Sequence, residues 1–287
     1  MIVRLNLDLA NRSETFRIEL AEICEDPELL TELSGDQSTQ VLSEVGKNRF
    51  TKKEDQIKLA NHPDIGVQCA VVENPTKYPE VIKILLTKST VVKIALIQST
   101  TDSDILDILA GDEDSRVREE VTKNSKTRMK TLFKLTEDPE VSVRLAMAKW
   151  PETRREIRQK LAQDPDANVR RTIVEREDNT PEDLHDIAMR EKNIMVLKAI
   201  ARSRITDGNT LDELAQMSPD LWLCVSENPN TLERTLDTLA TSQSINVLLG
   251  VLKHKNTSDD TICSLKKHQA TFIRNLAYYH SFRRKTS

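Results

Sequence analysis

Residues 135–144 read LTEDPEVSVR and residues 161–170 read LAQDPDANVR. The same pattern, Leu-(Thr/Ala)-x-Asp-Pro-(Glu/Asp)-x-x-Val-Arg, is written twice at a spacing of 26. Working outward with the Val of Val-Arg as anchor, equivalent residues are Val41, Val67, Val92, Val117, Val143, Val169, Val196, Leu221 and Val247, with 25 to 27 residues between neighbours. Four residues after each anchor comes a second apolar column: Val45, Val71, Leu96, Val121, Met147, Ile173, Ile200, Val225 and Val251. The position before that second column is mostly small, as at Ala70, Ala95, Ala146, Ala199, Cys224 and Gly250. Large apolar residues at i and i+4 with a small one at i+3 make one helical stripe, and the small residue lets a neighbouring helix approach.

Each unit also holds a second apolar set, such as Leu132 with Leu135, Leu184 with Ile187 and Leu236 with Leu239, which predicts a shorter second helix. Asp138-Pro139 and Asp164-Pro165 read as a capping carboxylate before a proline of the first helical turn. Asn74-Pro75, Trp150-Pro151 and Asn228-Pro229 fall in the other loop slot, and no proline interrupts a long-helix stripe. One such unit cannot bury its stripe alone, whereas stacked neighbours can. The expectation is an all-α solenoid of about nine two-helix repeats over 33–264. A helical N-terminal cap would occupy 1–32 and a basic C-terminal cap or tail 265–287, and no linker divides this elongated domain.

Composition agrees. Charged residues make up 31% of the 287 residues and aromatics 3%, with six glycines, which is poor in strand formers and suits helices. The formal net charge of −4 argues against a general nucleic-acid coat. Residues 265–287 nevertheless carry six basic residues (Lys266, Lys267, Arg274, Arg283, Arg284, Lys285) and no acidic one. Cys24, Cys69, Cys224 and Cys263 are scattered, with neither disulfide-framework nor metal-ligand spacing. No apolar run approaches the ~20 residues needed to span a bilayer, and MIVRLNLDLANRSETF lacks a signal-peptide centre. A cytoplasmic protein without membrane contact and without a cofactor or metal is expected.

The consensus Leu-Ala-x-Asp-Pro-(Asp/Glu)-x-x-Val-Arg-x-Ala-Val-x-x-Asn-Pro-x-Thr resembles the bacterial variant leucine-rich repeat, within the HEAT/armadillo-like superhelices. It is clearest in NHPDIGVQCAVVENPT (61–76), AGDEDSRVREEVTKNSKT (110–127) and the two opening segments, and covers about four fifths of the chain. Units near Ile94, Leu197 and Leu248 keep only the apolar skeleton. The resemblance implies a right-handed superhelix and a bacterial origin, and it names no reaction. Some members carry an N-terminal iron–sulfur cluster; the clustered cysteines for one are missing here.

Arg118, Arg144 and Arg170 follow the anchor in three consecutive units. They form either an anion-binding strip or an internal ladder with Asp112, Asp114, Asp138, Asp164 and Asp166. Opposite the core stripe, the second and fifth residues after the anchor include Ile94/Ile97, Leu145/Ala148, Leu223/Ser226 and Leu249/Leu252. In HEAT-like superhelices the helix bearing the Val-Arg motif lines the concave face. These residues therefore form an apolar groove for a protein segment or a second copy of the chain, unless the winding buries them. Trp150 and Trp222, the only tryptophans, read as ligand anchors or as packing at irregular units. Alkylpurine DNA glycosylases are also HEAT-like, and Trp150, Trp222 and Asp138 would imitate their aromatic and acidic set. No glycine-rich phosphate loop accompanies them, and the five histidines lack ligand or triad spacing. The reading is a non-catalytic protein-binding scaffold. The alternative is a nucleic-acid-binding protein using the C-terminal segment, where Phe272, Tyr278, Tyr279 and Phe282 interleave with basic residues.

Overall fold

A computed structural model describes residues 9–286; residues 1–8 of the expected N-terminal cap and Ser287 lie outside it. Among the described residues there are twenty-one α-helices, two short 3-10 turns and no strand. They fall into two compact units that divide between Met147 and Ala148.

In the first unit the helices of the anchor stripe are α1 (Glu14–Ile23), α3 (Thr39–Lys47), α5 (Ile65–Glu73), α7 (Thr90–Ser99) and α9 (Ser115–Val121). They alternate with α2 (Pro27–Leu33), α4 (Lys53–Ala60), α6 (Pro79–Leu85), α8 (Ser103–Leu109) and α10 (Met129–Leu135), and α11 (Val141–Lys149) follows. In the second unit α13 (Ala167–Val174), α15 (Ile194–Arg202), α17 (Trp222–Glu227), α19 (Ile245–Lys253) and α21 (Thr271–Thr286) bear the stripe. Their alternates are α12 (Arg155–Leu161), α14 (Pro181–Ala188), α16 (Gly208–Met217), α18 (Glu233–Leu239) and α20 (Asp259–Leu265).

Packing is between like and like. In the first unit α1, α3, α5, α7 and α9 form one row of successive neighbours, with α4 against α6 in the second row. In the second unit α13, α15, α17, α19 and α21 do the same, with α14, α16 and α18 in the second row. Each unit is thus a stack of two-helix repeats, an all-α solenoid architecture. All eighteen residues of the two apolar columns are buried. A side chain of that size contributes roughly 1.5–3 kcal/mol on burial, so the stripes supply the main drive for stacking.

The helix starts follow a rule that differs from the expected one. Asp166, not Asp164, is the N-cap of α13 and accepts from the Asn168 N–H. Asp64, Asp114 and Asn193 cap α5, α9 and α15 from the equivalent place, three residues before the anchor. Asp138 and Asp164 stand two residues earlier, and each folds its carboxylate onto the N–H two residues on, of Glu140 and of Asp166. This is the side-chain turn that a short carboxylate makes with the backbone N–H two residues on. Asp36 and Asp112 do the same for Ser38 and Asp114, and Glu191 does so for Asn193.

Close approach of the long helices is tightest at Gly250. A Cβ there would lie 2.2 Å from Ser226 Oγ and 2.8 Å from Ser226 Cβ on α17. Gly250→Ala therefore loses about 2 kcal/mol to overpacking, outweighing a helix-propensity gain of about 1 kcal/mol. Urea unfolding of Gly250→Ala, Ser226→Gly and the double variant checks this. The double variant loses less than the two single losses together; simple additivity rejects the contact as the cause.

Candidate binding face of the long helices

A helix in the middle of such a row has three neighbours: the short helix of its own repeat and the long helices before and after. Burial therefore wraps well over half its circumference. The fifth residue after the anchor stands about 140° around the helix from it, and it is turned toward the next long helix. Ile97, Ala148 and Leu252 are accordingly core residues, 1%, 0% and 1% exposed, and Val72, Thr122, Val174, Ala201 and Ser226 are buried with them. This corrects the expectation that the fifth position lines an open groove. The second position behaves differently: Ile94, Leu145, Leu223 and Leu249 are half-buried, each with one side toward solvent.

The outermost arc belongs to a column that the apolar pattern passes over, the sixth residue after the anchor. It reads Lys47, Glu73, Gln98, Lys123, Lys149, Glu175, Arg202, Glu227 and Lys253. Seven of these are exposed, and Lys47 and Lys123 are half-buried. Some pair along the stack, as Lys47 does with Glu73 at 3.8 Å. The signal available in sequence was the absence of any large apolar residue from this column. The long-helix face is therefore a strip of half-buried apolar residues flanked by charge.

The motif arginines are turned the other way. Arg118 donates from Nε and Nη2 to the two carboxylate oxygens of Asp138 at 2.7 and 2.9 Å, and from Nη1 to the Asp112 carbonyl at 2.8 Å. Arg170 repeats the arrangement, with Nε and Nη2 on Glu191 at 2.7 and 2.8 Å and Nη1 on the Asp164 carbonyl at 2.7 Å. Arg144 is buried, and its Nη1 donates to the Asp138 carbonyl at 2.5 Å. Arg17 and Lys93 occupy the same slot and reach Asp36 and Asp112. A guanidinium whose planar fork is matched by one carboxylate and whose remaining donors point at carbonyls has nothing to offer a dissolved anion. Arg118, Arg144 and Arg170 are internal connectors, and the strip reading of them is corrected.

The acids respond in kind. Burial pushes the Asp138 and Glu191 carboxyls up, but Arg118, Arg170 and the backbone N–H groups outweigh it and hold both below the usual carboxylate range.

A second connector is an asparagine seven residues after the anchor. Asn74 Nδ2 donates to the Gly46 and Asn48 carbonyls of the preceding repeat at 2.9 and 2.7 Å, while its Oδ1 accepts from the Thr76 N–H at 2.9 Å. Asn48, Asn124 and Asn228 do the same in their repeats. Arg176 fills the slot with its guanidinium on the Ala148 and Trp150 carbonyls, both at 2.8 Å. His254 fills it with Nε2 2.8 Å from the Asn228 carbonyl.

Trp222 is half-buried and its indole N–H donates to the Ala215 carbonyl at 2.8 Å, tying α17 back to α16. Trp150 is half-buried, lies in the loop after α11, and contributes its carbonyl to Arg176. Asp138 is buried beneath Arg118, which takes both its carboxylate oxygens. In the C-terminal segment α21 buries Ile273 and Ala277, and Arg274 donates to the His268 and Gln269 carbonyls in the manner of the other motif arginines. Lys266 donates to Ser281 Oγ at 2.7 Å. Phe272, Tyr278, Tyr279 and Phe282 are exposed, and the side chains of Arg283, Arg284 and Lys285 lie outside the described set.

The four cysteines are unbonded, and burial pushes the Cys24 and Cys69 thiols up. Among the described residues no group of three side chains could hold a metal ion, and no helix is long and apolar enough to cross a membrane.

No protein-family model and no curated protein matches the chain. Among solved structures it is similar to one described as "a leucine-rich repeat variant with a novel repetitive protein structural motif". That match covers 86% of this chain and 88% of that one at 18% identity, with a TM-score of 0.55. A HEAT-like repeats protein from Thermococcus onnurineus NA1 aligns over 96% of this chain and 98% of its own at 13% identity, but its TM-score of 0.18 carries no weight. The chain has the fold of that leucine-rich repeat variant.

Proposed function

We propose that the protein is a non-catalytic binding scaffold whose partner, another protein or a second copy of the chain, docks on the long-helix face of its units. The observation that carries this reading is the second-position column. Ile94, Leu145, Leu223 and Leu249 remain half-covered beside a charged column, while the motif arginines are consumed internally. Completing the burial of one such side chain contributes on the order of 1 kcal/mol, and several together bring recognition into the micromolar range after the cost of association.

Site-specific photo-crosslinking in the source cells tests the reading. A photoreactive residue at Leu145 or Leu249 yields discrete protein adducts that survive nuclease, including a doubled mass if the partner is a second copy. The same residue at Phe133, exposed on the short helix α10, yields none. Adducts that disappear with nuclease, or equal labelling at Phe133, overturn it.

A further inference from the structure

In the second unit, two grooves open between long helices on this face. One, of about 510 Å³, lies between α13 and α15. The other, of about 590 Å³, lies between α17 and α19. Their construction is the same although their residues differ. Each has a floor of small or apolar side chains, Val174 and Ala199 in the first, Leu223, Leu249 and Gly250 in the second. Each is rimmed by two cations at the sixth and eighth positions after the anchor, Arg202 with Arg204 and Lys253 with Lys255. Those four side chains are exposed and, among the described residues, enter no ion pair or hydrogen bond. The contrast with Arg171 and Arg176 in the same region is direct: Arg171 is paired with Glu175, and Arg176 with Asp178 and three carbonyls.

We infer that this unit binds an acidic, extended peptide that places one apolar side chain in each groove and its carboxylates against Arg202, Arg204, Lys253 and Lys255. The inference rests on the scaffold reading and specifies the partner's chemistry. Charge complementarity supports it: two pairs of unspent cations stand out on a chain of net charge −4. The dimensions set the spacing. Two steps of about 10 Å between helix axes separate the grooves, and an extended chain rising about 3.3 Å per residue covers that in about six residues. A nucleic acid fits less well, because no Phe, Tyr or Trp side chain lines either groove to stack on a base.

The test is selection of displayed random peptides of about 14 residues, long enough to span both grooves, against the full chain. Selected peptides are rich in Asp and Glu and carry two large apolar residues about six apart. Their affinity falls with salt and drops about tenfold or more in Leu249→Glu. Selection against Arg202→Glu/Arg204→Glu shifts toward basic residues at one end of the peptide. An unbiased or basic set from the natural chain overturns the inference, as does an unchanged set from the reversed variant or displacement of the peptides by single-stranded oligonucleotide. Photo-crosslinked protein adducts at Leu249 alongside a selection without acidic bias leave the scaffold reading standing and remove this one alone.

Discussion

Arg118→Ala lowers the unfolding free energy by about 3 kcal/mol or more. The Asp138 side chain is only 3% exposed and Arg118 11%, so the pair is largely out of water and the truncation leaves the carboxylate without its counter-ion. What remains is a carboxylate with one backbone N–H, from Glu140. The penalty is the stranded charge, so removing the charge as well recovers much of it. Arg118→Ala/Asp138→Asn is more stable than Arg118→Ala, since asparagine keeps an acceptor for the Glu140 N–H. Acid titration supplies an independent sign. Because the folded Asp138 carboxyl lies below its ordinary value, its contribution is present above pH ~4 and drains away as pH falls through the folded value. The gap between natural chain and Arg118→Ala therefore narrows below pH ~4. Urea midpoints measured from pH 7 down to 3 read both effects. A constant gap would assign the loss to packing of the arginine stem instead.

Asn74→Ala loses about 2–3 kcal/mol, because it orphans the Gly46 carbonyl and the Thr76 N–H and leaves the Asn48 carbonyl with only the Thr51 N–H, at roughly 1 kcal/mol for each lost bond. Asn74 is fully buried, and its bonds to the Gly46 and Asn48 carbonyls lie out of water. Hydrogen exchange localises the damage: amides of α3 and α5 lose protection first, while those of α9 change little, since each repeat is held by its nearest neighbours. Asn74→His loses less than Asn74→Ala. His254 serves the same slot, with Nε2 toward a carbonyl and Nδ1 accepting from the Asn256 N–H. Equal losses for the two variants would mean that filling the space, not hydrogen bonding, holds the repeats at this point.

The two apolar columns were legible because helix periodicity is local, and Val67 with Val71, or Val169 with Ile173, needs no knowledge of distant chain. The error at Ile97, Ala148 and Leu252 has a specific source. A helix wheel with one buried face describes a helix lying on a single surface, whereas these helices are flanked on both sides by their own kind. The misplaced cap has another source: Asp-Pro resembles a helix start, but the carboxylates of Asp138 and Asp164 close a turn just upstream of the helix. The asparagine connector was visible only as a loop residue, because its partners lie about one repeat earlier, at Gly46 for Asn74 and Ala201 for Asn228. Which cations stay unspent could not be read either. Arg176 and Arg202 look alike in sequence, and only packing shows the first bound to carbonyls and the second bare.

The connectors also run in opposite senses along the chain. The arginine of one repeat reaches forward to an acid of the next, as Arg118 does to Asp138, while the asparagine reaches back to carbonyls of the one before, as Asn124 does to Ile97 and Thr100. The α1/α3 and α7/α9 junctions are thus stitched from both sides, by Arg17 with Asn48 and by Lys93 with Asn124, and other junctions from one side, each with a reach of about one period. Loss or gain of a whole repeat brings equivalent stitches back into register, whereas an insertion of half a repeat breaks both sets at once. Such a chain is free to vary in length only by complete units, so its lineage is expected to grow and shrink by duplication and deletion of roughly 26-residue modules.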